Sequence, residues 1–116
     1  MPCWTIYQYR SVFDDFYNGC NAAMQLTIDN RFAQLVEKGN MAREPISKHL
    51  DDGIFELRAK SARFLYYFEP GRTAIIVVAF FKDQSRVDPT YIKQAKRIRS
   101  ILQSEQEKPH DINETH

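Results

Sequence analysis

The sequence predicts an α+β fold in the order βααβββα: an N-terminal strand, a helical hairpin, a three-stranded antiparallel sheet and a C-terminal helix. Two observations predict it. Between Gly53 and Lys82 three runs rich in strand-forming residues succeed one another across tight turns. On either side of them, apolar residues recur at the spacing of a helix face rather than of a strand. With 116 residues, 43% of them hydrophobic, the chain can bury one core and not two.

The first of the three runs is Gly53 to Ala59, where Ile54, Glu56 and Arg58 alternate with Phe55, Leu57 and Ala59. A period of two sends neighbours to opposite faces, so one face is expected buried and the other to carry Glu56 and Arg58. The second, Ala62 to Glu69, stops at Glu69-Pro70-Gly71, a turn in which Pro fixes φ and Gly accepts a positive one. The third, Thr73 to Lys82, is apolar almost throughout, as a strand covered on both faces should be, and is too short to cross a bilayer. It is the expected central strand.

Upstream, the β-branched and aromatic run Trp4 to Tyr9 marks a first strand. Ser11 is the expected cap of a helix with Asp14 and Asp15 in its first turn, and Val12, Phe13, Phe16, Cys20 and Ala23 give that helix an apolar side. Thr27 reads as the cap of a second helix, with Phe32, Leu35 and Val36 as its stripe and Gly39 as its stop. Asn40 to Leu50 reads as a loop, and Asp52-Gly53 as a turn. Downstream, Asp88 can cap a helix that starts at Pro89 and buries Ile92, Ala95 and Leu102. Residues 1–103 are thus expected to form one domain, and residues 104–116, too poor in apolar surface to repay ordering, a disordered acidic tail.

Net charge is only +1, yet residues 53–102 hold ten Lys and Arg against four Asp and Glu. A basic half that coincides with the sheet and the last helix is the footprint of a protein that meets phosphates, although a solvated helix face produces the same surplus. Cys3 and Cys20 lack metal or C-x-x-C spacing and read as free thiols of a reducing compartment. No basic and apolar leader precedes Trp4, so the expected location is cytoplasmic, with no membrane partner.

Several blocks together resemble a known family. Gly39, Pro45, Lys48-His49-Leu50, Asp52 to Arg58, Arg63 to Phe68, Ala79-Phe80-Phe81-Lys82, and Pro89 with Ile92 and Ala95 are similar to the phage-derived, HigB-like branch of the RelE/ParE toxin superfamily. The resemblance covers roughly residues 30–100. It implies a toxin of a type II toxin–antitoxin system that cleaves mRNA on the translating ribosome, with a helix-turn-helix antitoxin, the ribosome and mRNA as partners, and no cofactor or metal. Two departures stand near the expected site: Val78 replaces a His found in many relatives, and Asp83 replaces a second Lys.

RNA is cut without a metal when its own 2′-hydroxyl attacks the adjacent phosphate, which calls for charge stabilisation, a base and an acid. Arg58 and Arg63, on neighbouring expected strands, can bring two guanidinium forks to one phosphate. Lys82 is the third candidate catalytic residue, as a further cation or a proton acceptor. Glu56 and His49 are possible proton carriers, and Lys48, Tyr67 and Arg86 candidate RNA contacts, Tyr67 because alternation sets it on the face of Arg63. The plainer reading of Arg58 is an ordinary ion pair with Glu56 or Glu69. Three functions remain open: a ribosome-dependent endoribonuclease, a ParE-like inhibitor of a protein such as DNA gyrase, or a degenerate toxin that only binds its antitoxin.

Overall fold

The computed structural model describes residues 3–83 and 87–112. Six strands form one sheet in the order β2-β3-β4-β5-β1-β6, with helices on both faces. The elements are β1 (Thr5–Gln8), α1 (Val12–Asn18), α2 (Ala22–Lys38), β2 (Ser47–Asp51), β3 (Ile54–Ala59), β4 (Ala62–Glu69), β5 (Thr73–Phe81), α3 (Pro89–Gln103) and β6 (His110–Asp111). The expected βααβββα frame is present, with a strand added at each edge.

The hairpin turns behave as their residues dictate. Asp52 and Gly53 take positive φ between β2 and β3, and Gly71 does so between β4 and β5. β5 lies between β4, antiparallel, and β1, parallel, so it is interior, and Ala74 to Val78 are all buried. One extra residue, Val77, falls in β5 opposite the Leu65–Tyr66 step. The bulge puts both Val77 and Val78 on the α3 side.

The sheet divides two cores. Phe64 and Tyr66 of β4 pack with Phe13, Tyr17, Ile28 and Leu35 of α1 and α2. Leu65, Tyr67, Ile75 and Val77 pack with Ala95, Ile98 and Leu102 of α3. Asp88 caps α3 as expected, its Oδ1 accepting from Thr90 N at 2.9 Å, with Pro89 in the first turn. Two ion pairs, Lys96 with Asp51 at 2.5 Å and Arg99 with Asp52 at 2.9 Å, pin the helix to the β2–β3 turn.

Four expectations need correction. Ser47 to Asp51 is a strand, not loop, because β3 offers a free edge and Ser47 finds the Tyr66 hydroxyl below it. Thr27 lies inside α2, its hydroxyl on the Ala23 carbonyl, and Asn21 is the cap instead, accepting from Met24 N at 2.9 Å. Ser11 makes no side-chain cap. Gln8 serves α1 in its place, its Oε1 accepting from Phe13 N at 3.0 Å and Asp14 N at 3.1 Å. Finally, residues 104–112 are not a structureless tail: His110 and Asp111 pair antiparallel with Gln8 and Tyr7, and Ile112 packs on the α1/α2 core.

Candidate functional site

Side chains at 54, 56 and 58 of β3 point to the α3 face, and β4 returns Arg63 directly opposite Arg58. Two cations facing each other across a ladder are destabilising unless an anion lies between them. Glu56 is that anion. Its Oε1 accepts from Arg58 Nε at 2.8 Å, and its Oε2 lies 3.8 Å from Arg63 Nε. The expectation that Glu56 lines a solvated face fails: it is 0% exposed, sealed between the guanidiniums it neutralises. Its Oε2 makes no hydrogen bond, nor does Arg63 Nε, so the pair is held by charge more than by geometry.

The remaining donors are partly committed. Arg63 Nη1 donates to the carbonyls of Lys60 and Ala62, fixing the guanidinium against the β3–β4 turn. Burial lowers the Arg63 pKa from its ordinary value and the neighbouring Arg58 adds to this, against the pull of Glu56. Arg58 Nη1 lies 3.5 Å from Glu44, a carboxylate that sequence reasoning passed over in the preceding loop. Neither Nη2 has a hydrogen bond among the described residues. Those are the donors left for a ligand.

Lys48 stands opposite Glu56 on β2, exposed and on the same face. Lys82 follows β5, its amide bonded to the Ser61 carbonyl at 2.8 Å, which extends the ladder beside Arg63. Among the described residues no carboxylate lies within ion-pair distance of its amine. Opposite Arg63 is Phe80, and Tyr91 of α3 stacks on it with centroids 4.0 Å apart and planes 6° from parallel. The stack walls the site on the helix side. An aromatic two residues past the helix-starting Pro89 was its only sequence signal.

Two expected members are elsewhere. His49 pairs with Phe55, sits on the α1/α2 face, rests its ring edge on Phe55, and accepts from Gly53 N at 3.2 Å. Tyr67 does share a face with Arg63, but α3 covers it and it is 2% exposed, so no base can stack on it. Arg86 lies outside the described residues. Among the described residues no three His, Cys, Asp or Glu side chains gather as a metal-binding group, and no helix is long and apolar enough to cross a membrane.

A family model described as phage derived protein Gp49-like matches residues 15–100. The chain belongs to this Gp49-like family. No curated protein matches it in sequence. Among solved structures it is similar to a chain of the archaeal RelE–RelB complex of Pyrococcus horikoshii OT3, with TM-score 0.60 and 13% identity over 73% of this chain and 100% of that one. It is also similar to a chain of the YoeB–YefM complex of Staphylococcus aureus, with TM-score 0.51 and 19% identity over 67% of this chain and 95% of that one. The Gp49-like chain therefore has the fold of the RelE-like toxin superfamily, as its motifs imply.

Proposed function

We propose that this Gp49-like chain is the toxin of a type II toxin–antitoxin pair of the HigB-like kind, and that it cleaves mRNA on the translating ribosome. The observation that carries the reading is the Arg58–Arg63 pair held across β3 and β4 by one buried carboxylate, Glu56, with Lys48 and Lys82 beside it. The free Nη2 donors would bind the non-bridging oxygens of a phosphodiester, whose negative charge grows as the 2′-oxygen attacks. The phosphorus–5′-oxygen bond then breaks, leaving a cyclic phosphate and a 5′-hydroxyl. Lys82, unpaired among the described residues, is assigned to proton transfer. Glu56, wholly buried, positions the arginines and does not meet substrate. The partners in this reading are a helix-turn-helix antitoxin, the ribosome and mRNA, in the cytoplasm.

One observation favours a second reading. Two carboxylates, Glu56 and Glu44, already engage Arg58, which suits a degenerate toxin that only binds its antitoxin. Expression without antitoxin separates the readings. Wild type should arrest growth and create new mRNA 5′ ends inside translated frames, while folded Arg63→Ala and Lys82→Ala lose cleavage by about 100-fold or more, the scale of one transition-state donor. Arrest with intact transcripts, or harmless wild type, overturns the nuclease reading.

A further inference from the structure

Among the described residues three large apolar side chains stand open to solvent: Leu26 on α2, Met41 in the turn after it, and Phe81, 55% exposed, at the end of β5. Isolated apolar side chains on a surface are ordinary, and Leu26 and Met41 are of that kind. Phe81 differs in where it stands and in how it is held.

It pairs across the ladder with Ala62, the residue before Arg63. Arg63 Nη1 donates to the Lys60 and Ala62 carbonyls, and the Lys82 amide donates to that of Ser61, so the β3–β4 turn gathers these groups at one end of the sheet. Arg63, opposite Phe80, lies on the α3 face; Phe81, one residue on, lies on the α1 face. Its ring rests on Phe16 of α1, centroids 4.6 Å apart and planes tilted by 40°. Phe16 in turn stands edge-on to Phe64, which is 0% exposed. Two aromatic contacts thus tie the orientation of an open ring to the core. Lys60, with φ 54 in the turn, and Lys82, directly after Phe81, have no carboxylate within ion-pair distance among the described residues.

We propose that Phe81 is the platform on which the base beside the bound phosphate stacks, the RNA strand passing over the β3–β4 end of the sheet from Arg63 to Phe81. This rests on the RNA substrate of the nuclease reading and adds to it a side chain that holds a base. A phosphate is gripped by charge and a base by its face, so a single-stranded site needs cations and an open ring together. Lys82 and Phe81 supply the two as neighbours in the chain. A ring already fixed by Phe16 has little freedom to lose when a base settles on it, which keeps the cost of binding low.

The test is the affinity of the full chain for ribosomes programmed with an mRNA that carries 2′-deoxyribose at the cut position, so that binding is read without cleavage. Phe81→Leu, which keeps an apolar contact with Phe16, should bind about tenfold more weakly, the scale of one base stack, and Phe81→Trp as well as wild type or better. Both should keep the wild-type circular dichroism spectrum. An abasic site at one neighbour of the cut position should weaken wild type by the same factor and leave Phe81→Leu no weaker than before, which a purely structural role for Phe81 does not produce. If Phe81→Leu binds like wild type, or its deficit persists at every abasic position, the platform falls. Wild type that loses nothing at any abasic position refutes it too, whatever the fold of the variants. Cleavage of the all-ribose mRNA, run alongside, separates the two readings. Intact mRNA with Phe81-dependent binding overturns the nuclease reading alone, cutting with Phe81-independent binding overturns the platform alone, and no binding by wild type overturns both.

Discussion

Replacing Glu56 by Gln changes one atom and removes the charge that lets two arginines share a face. Gln keeps an oxygen for Arg58 Nε, 2.8 Å away, but has nothing for Arg63, whose Nε lies 3.8 Å from Oε2. Removing one partner of a buried ion pair costs about 3–5 kcal/mol, because the remaining charge stays desolvated. The arginine side chains are 26% and 15% exposed, so water relieves part of that penalty. With one hydrogen bond retained as well, the expected loss is about 2–3 kcal/mol. For a domain of this size each kcal/mol lowers the melting temperature by about 4 °C, so the melt should fall by about 10 °C. Urea unfolding at neutral pH measures the loss directly. Adding Arg63→Met to Glu56→Gln should restore at least half of it, since the orphaned cation then disappears. A single variant that melts with wild type, or two losses that merely add, would refute the account of Glu56 as the anion that holds the pair.

Gly39→Ala should cost about 3 kcal/mol, because Gly39 has φ 52 and an added Cβ would fall 2.0 Å from Nε1 of Trp4, which must leave its edge contact with Phe68. Trp4 is the only tryptophan, so the displacement should appear as a red shift of fluorescence; an unshifted spectrum at unchanged stability would contradict it. Tyr66 predicts an alkaline limit. Burial pushes its phenol up to about 12, the bond to Ser47 opposing. The unfolded phenol ionises near 10, so stability is complete below about pH 10 and falls by up to about 2.7 kcal/mol as pH passes through 12. Tyr66→Phe should flatten that decline by one proton's share, leaving Tyr17, also raised to about 12, and Tyr67. An unchanged alkaline slope in the variant would assign the decline elsewhere.

How much was legible follows from what each residue's neighbours reveal. The three central strands were legible because Ile54 to Ala59 alternate with period two, Phe64 to Phe68 and Ala74 to Phe81 are aromatic and β-branched runs, and the chain breaks between them at Gly71. β2 was not, since Ser47-Lys48-His49 carries no strand preference and is extended only because the edge of β3 receives it. Alternation correctly set Tyr67 beside Arg63, but it does not say that α3 covers the row one residue further in. The same rule put Glu56 on an open face, and it is buried because the long arginine stems close over it. His49 needed register, not pattern, to be assigned to the far face. The tail misled for a related reason: composition measures what a segment buries by itself, and Gln8 and Arg10, a hundred residues earlier, supply its hold.

The parallel pairing of β1 with β5 sets an order on synthesis. Thr5 must wait for Thr73 before it has a neighbour, whereas Arg58 and Arg63 meet across a two-residue turn. Loop closure of that span is slow and costly compared with a hairpin. A growing chain can therefore assemble the arginine pair early, yet hold its first strand unpaired until β5 has left the ribosome. In the interval between the completion of β4 and that of β5 the arginine hairpin exists on an unfinished sheet, and the final strands, rather than the site itself, decide when the molecule becomes whole.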